Sequence, residues 1–163
     1  MKTYQEFLTE LFDQPLPYKL IHSTERGEIY EFKTPNGQKF EVQVIVDKQD
    51  GSYEFIFGVS GEDTITKTGK GEEFRVFSTV LKILKSVVDV GEPEHFFIQA
   101  VRKEPGRVSL FQKIIRKFLQ LYPDYESKES IVGVTKQELE QEEKEKKNPN
   151  EIKGFVRWDV KVK

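Results

Sequence analysis

Six residues near the middle of the chain, Thr66-Lys67-Thr68-Gly69-Lys70-Gly71, have types and spacing that could do chemistry. They stand directly ahead of an amphipathic segment that opens at Glu72. A helix start leaves its first backbone N–H groups without partners and carries positive partial charge. Gly69 and Gly71 would let the backbone close on a phosphate or pyrophosphate, and Lys67 and Lys70 would add attraction for it. The competing reading needs no ligand. Glu72 and Glu73 fall in the first helical turn and complement the dipole themselves, so the glycines then serve only the turn. The residues alone leave both readings open. A nucleotide P-loop is excluded, because "TGKGEE" lacks the Gly-x-x-x-x-Gly-Lys-Ser/Thr spacing.

Other chemistries find less material. His22 and His95 lie far apart, with no Cys/His/Asp cluster at ligand spacing, so no metal site is expected. No nucleophile elbow anchors a Ser/His/Asp arrangement. Glu54 and Glu62 are base candidates by position, although a glutamate on an alternating strand usually faces solvent. Arg107, Lys113, Arg116 and Lys117 put positive charge on one late segment, as Lys82 and Lys85 do on an earlier one. Such a patch can touch nucleic acid or an acidic protein. The formal net charge of −2 speaks against nucleic acid and against an anionic membrane surface.

The elements that must position these residues follow from periodicity. Tyr4, Phe7, Leu8, Leu11 and Phe12 have helical spacing, and Pro15 and Pro17 end that helix. "GEIYEFKT" (Gly27 to Thr34) and "KFEVQVIVD" flank Pro35-Asn36-Gly37, an Asn-Gly hairpin signal. Gln49-Asp50-Gly51 turns the chain again into "SYEFIFGVS" (Ser52 to Ser60), completing a three-strand antiparallel meander. From Glu72 to Asp89 the stripe Phe74, Phe77, Val80, Leu81, Leu84, Val87 and Val88 predicts a helix, stopped by Gly91 and Pro93. "HFFIQAV" (His95 to Val101) reads as a buried strand. A second helix over about Gly106 to Tyr122 buries Val108, Phe111, Ile114, Ile115, Phe118 and Leu119. "SIVGV" (Ser130 to Val134) and "GFVRWDVKV" are the last strands, the latter setting Val156, Trp158, Val160 and Val162 opposite Phe155, Arg157, Asp159 and Lys161.

Between those strands, residues 135–152 differ in kind. Thr135 and Glu138 have capping-box spacing, Glu140/Lys144, Glu142/Lys146 and Glu143/Lys147 are i,i+4 pairs, and from Thr135 to Asn150 Leu139 is the only large apolar residue. A charged, solvated insertion is expected there, with an acidic partner-binding arm as the other possibility. At 163 residues the chain is about one domain long. Thirteen Phe and six Tyr supply core bulk in a sequence that is one-third charged. The absence of cysteine fits a reducing cytoplasm, and no window is apolar enough to span a membrane.

Helix, three-strand meander, helix, strand, helix and two strands make an α/β (α+β) class with a mixed, mostly antiparallel sheet. The crossover from the third strand to the fourth is expected to run parallel. This order resembles the GNAT superfamily of acyl-CoA-dependent N-acyltransferases over roughly Gly27 to Val162. That family has a Gln/Arg-x-x-Gly-x-Gly/Ala turn before its central helix. Thr66 to Gly71 matches its glycine spacing, with Thr66 in the first position. "RVSLFQKIIRKF" is similar to the family's Ala-x-x-Leu-Tyr run on the helix after the parallel strand.

The resemblance implies acetyl-CoA or another acyl-CoA bound at Thr66, Lys67, Thr68, Gly69, Lys70 and Gly71, and transfer of the acyl group to an amine. It also implies a tyrosine acid, but the matching position is Phe111. Tyr122 and Tyr125 lie at the far end of that helix, and Ser109 points to another face. The polar residue that the family often has after the parallel strand would fall among Arg102, Lys103 and Glu104, with no clean match. No residue is assigned a catalytic role. The alternative is a catalytically silent GNAT-like scaffold that works through protein contacts. The opening "MKTYQEFLTE" is similar to the N-termini of small proteins of large tailed phages.

Overall fold

The structure is a computed structural model that describes Thr3 and residues 14–59, 72–145 and 152–163. The expected opening helix, apart from Thr3, falls outside the described residues, as do Glu62 and the whole turn from Thr66 to Gly71. Two compact units are present, Met1–Glu94 and His95–Lys163.

In the first unit, β1 (Tyr18–Thr24), β2 (Gly27–Lys33), β3 (Lys39–Val46) and β4 (Tyr53–Val59) form an antiparallel meander, followed by α1 (Glu72–Gly91). The expected three strands are there, with β1 added at the edge. The Asn36-Gly37 hairpin is made as its sequence predicts: Gly37 has φ 91°, and the Thr34 N–H donates to Gln38 O at 2.9 Å. Alternation puts Tyr30, Phe32, Phe40, Val42, Val44, Phe55 and Phe57 in the core. Phe40 stacks between Phe32 at 5.3 Å and Phe57 at 5.6 Å, across three neighbouring strands.

Helix α1 buries Phe77, Val80, Leu81, Leu84, Val87 and Val88 of the expected stripe, and also Val76 and Ile83, while Phe74 stays partly exposed. Leu16 lies between two prolines, and its N–H donates to Thr79 Oγ1 of α1 at 2.8 Å. At the other end of α1, a Cβ on Gly91 would come within 2.3 Å of Tyr53 Oη, so any larger residue there would have to displace the Tyr53 ring of β4.

In the second unit, β5 (His95–Val101), α2 (Pro105–Leu121), β6 (Tyr125–Val132), α3 (Lys136–Glu145) and β7 (Phe155–Val162) follow in order. Strand β7 is paired antiparallel on one side with β5 and on the other with β6. Phe96, Ile98, Ala100, Trp158 and Val160 form the buried face, matched by Phe111, Ile114, Ile115 and Phe118 of α2. Phe96 meets Phe118 edge-on at 5.2 Å, and Phe111 meets Trp158 at 6.1 Å.

Strand β6 begins five residues before the expected Ser130. Its "YESKE" start is polar and exposed, and the β7 ladder imposes the extended form. The capping box at the start of α3 forms as spaced: the Glu138 N–H donates to Thr135 Oγ1 at 3.1 Å, and the Thr135 hydroxyl donates to Glu138 Oε1 at 3.0 Å.

Candidate functional site

The glycine turn runs directly into α1, whose first residue, Glu72, follows Gly71. A helix of 20 residues starts there, and a helix start carries positive partial charge and N–H groups without partners inside the helix. Glu54 lies half-buried on β4 opposite Ile45. Ser109 is exposed on α2.

Phe111, read from the sequence as the place of a missing acid, is 1% exposed and packed edge-on against Trp158. The position belongs to the core, so its lack of a hydroxyl follows from packing. Tyr122 and Tyr125 join Phe118 in an aromatic cluster, with Tyr122 stacked on Phe118 at 4.5 Å.

The polar residues after β5 are tied to the unit itself. Arg102 donates through Nη2 to Glu142 Oε2 of α3 at 3.1 Å and through Nη1 to Lys153 O at 2.9 Å. Glu104 pairs with Arg107 at 3.1 Å, which removes Arg107 from the expected basic face; Lys113 and Arg116 remain exposed. Glu142 therefore pairs with Arg102, although its spacing pointed to Lys146. The insertion helix is docked, with Leu139 half-buried.

On the other face of β7, Arg157 donates to both carboxylate oxygens of Asp159, and His95 Nε2 lies 2.8 Å from Asp159 Oδ1. The Arg157 guanidinium also sits over the Phe97 ring at 3.8 Å. Burial by itself raises the Asp159 carboxyl, but hydrogen bonds from Arg157 and His95 and their charges outweigh it and hold the group below its ordinary value. In the first unit burial pushes the Tyr30 phenol up, and its hydrogen bond to Glu28 and that carboxylate's charge push the same way, so Tyr30 stays protonated.

One concave site in the second unit escaped the sequence reading. An open cleft of about 500 Å³ is lined by Val108 and Gln112 of α2, Glu129, Ser130 and Ile131 of β6, Leu139 of α3, and Val156 of β7. Glu129 Oε1 accepts from Trp158 Nε1 at 2.9 Å and from Gln112 Nε2 at 3.1 Å. The signal was faint: a lone tryptophan on an inward strand position, whose indole N–H needs a polar partner when buried. Among the described residues no group of His, Cys, Asp and Glu could hold a metal ion, and no helix is long and apolar enough to cross a membrane.

No protein-family model matches the chain, and no curated protein matches it in sequence. Solved structures do. An acetyltransferase from Bacillus subtilis in complex with CoA aligns with TM-score 0.51 at 16% identity, over 91% of this chain and 99% of that one. Spermidine N-acetyltransferase from Vibrio cholerae, in complex with CoA and spermine, aligns with TM-score 0.50 at 13% identity, over 99% of this chain and 76% of that one.

The chain has the GNAT fold. From the meander onward the order of elements read from the sequence is the one found, with β1 as an extra edge strand. The glycine-spaced turn of the resemblance falls in sequence between β4 and α1 of the GNAT fold.

Proposed function

We propose that this chain is a single-domain GNAT N-acyltransferase, with acetyl-CoA or another acyl-CoA as donor and an amine as acceptor. The observation that carries the reading is the fold likeness to a CoA-bound acetyltransferase over nearly the full length of both chains. It is supported by the start of a long helix at the residue after Gly71. The bacterial sources of the two matched proteins lend no support to a phage origin.

The donor set fits a pyrophosphate. Glycine at 69 and 71 has no side chain to shield a backbone N–H, a helix start carries positive partial charge, and the lysines at 67 and 70 match in number the glutamates at 72 and 73. The bound group supplies an acyl thioester, activated for attack by nitrogen. The turn from Thr66 to Gly71 would hold the pyrophosphate, and that fixed attachment would orient the acyl end toward the acceptor. Phe111, buried against Trp158, holds a core position, and the reading assigns it no part in the chemistry.

The test is release of free CoA thiol from acetyl-CoA in the presence of alkyl amines, polyamines and arylalkyl amines. Amine-dependent release that Gly71→Glu abolishes supports the reading. Thiol release no faster than in buffer, with every amine class, contradicts it.

A further inference from the structure

Strand β6 is the outer strand of the second unit: β7 pairs with one side of it, and among the described residues no strand pairs with the other. The hydrogen-bonding pattern fixes which groups are left on that free side. The Lys163 N–H donates to Asp124 O at 2.8 Å, which continues the β7–β6 register by one pair. In an antiparallel ladder, bonded pairs alternate with unbonded ones. Glu126, Lys128, Ser130 and Val132 therefore turn their backbone groups to β7, and Ser127, Glu129 and Ile131 turn theirs outward. The Tyr125 carbonyl also points outward, while its N–H is taken by Tyr122 O.

Sheets blunt such an edge with a bulge, a proline or a covering element. Strand β1, the outer strand of the first unit, has a bulge between Leu20 and His22. Strand β6 keeps an unbroken register over Tyr125–Val132 and holds no proline, and Glu126, Ser127, Lys128 and Glu129 are exposed. Helix α3, which follows it, is tied through Glu142 to Arg102 in the turn after β5, and β7 lies between β5 and β6. That tie draws the helix inward from the free edge.

We propose that β6 is an interface between two copies of this chain, pairing antiparallel with β6 of a second copy across a two-fold axis. Such a contact uses the same patch on both copies. Outward backbone groups must meet outward groups, so the axis passes through one residue and its own copy. The charges select which residue. An axis at Glu126, Lys128 or Glu129 sets like charges directly opposite each other, and an axis at Ser130 sets Lys128 against Val132. An axis at Ser127 sets Glu126 opposite Lys128 of the second copy, and Lys128 opposite its Glu126. Both are unbonded pairs, where facing side chains come closest. Ser127 then exchanges two backbone hydrogen bonds with its copy, and the Glu129 N–H of each copy donates to Tyr125 O of the other.

The test is sedimentation of the full chain from micromolar to millimolar concentration, which needs neither acyl donor nor amine and so stands apart from the acyltransferase reading. A monomer–dimer equilibrium is the expected result for the parent. Lys128→Glu and Glu126→Lys should each weaken the dimer about tenfold or more, because each turns two facing pairs from opposite to like charge. Both substitutions together restore opposite charges and should restore the parent affinity. Ser127→Pro removes an outward N–H that β7 does not use, so the monomer should fold and the dimer should be lost. A parent that stays monomeric at millimolar concentration overturns the proposal. So does a dimer that neither single reversal weakens, or a double variant that associates no better than the single ones.

Discussion

Arg102, in the turn after β5, and Glu142 of α3 are 40 residues apart in sequence and form an ion pair of 3.1 Å with both side chains largely buried. Arg102 also donates to Lys153 O, just before β7. One guanidinium therefore ties both the helix of the insertion and the residue that follows it to the turn after β5. The charged segment becomes a docked wall of the second unit, although its composition alone describes a solvated spacer.

Replacing Glu142 by Ala should release α3. Leaving Arg102 desolvated without its partner costs about 2–3 kcal/mol, less than a fully enclosed pair because some water still reaches it. Hydrogen exchange should show faster exchange in Lys136–Glu145 with β5 and β7 protected as before. Unchanged protection of α3 would mean that the pair contributes nothing to docking.

A hydroxyl introduced at Phe111 should harm the protein and help no chemistry. Phe111 has no room for an unsatisfied polar group, so Phe111→Tyr is expected to cost about 1–3 kcal/mol in thermal unfolding, with no gain in amine-dependent thiol release. A rise in that rate would place an acid at this position and contradict the packing account.

Asp159 gives the protein an acid-sensitive term. Its carboxyl is held below the ordinary value in the folded state, so the stabilisation is complete above about pH 4 and fades as the pH falls through the folded value. Asp159→Asn should lose about 1–2 kcal/mol at pH 7 through its hydrogen bonds to Arg157 and His95. The gap to the parent should then narrow below about pH 4 in urea unfolding. A gap that stays constant from neutral pH to pH 3 would show that Asp159 titrates alike in both states.

Periodicity carried most of the fold. Phe40, Val42 and Val44 alternate because one face of β3 is buried, and the bounds of β5 could be read from "HFFIQAV" because that strand is buried on alternate residues and stopped on both sides. Strand β1 was missed because "YKLIHST" is an edge strand exposed along nearly its whole length, so nothing in its sequence had to alternate. The start of β6 was missed for the same reason: the ladder to β7 makes it a strand. The cleft was illegible because Gln112, Glu129 and Trp158 belong to three elements, and each reads singly as an ordinary surface or core residue. The glycine turn is the reverse case, plain in sequence and outside the described residues.

The most direct test of the account is a thermal-shift titration with CoA and acetyl-CoA on the parent and on Gly71→Glu. At about 100 times its dissociation constant, a ligand bound to the native state adds about 2.7 kcal/mol, which raises the Tm of a chain this size by about 5–10 °C. The account predicts that rise for the parent and its loss when a carboxylate is placed at Gly71. No rise with the parent at millimolar CoA would contradict it.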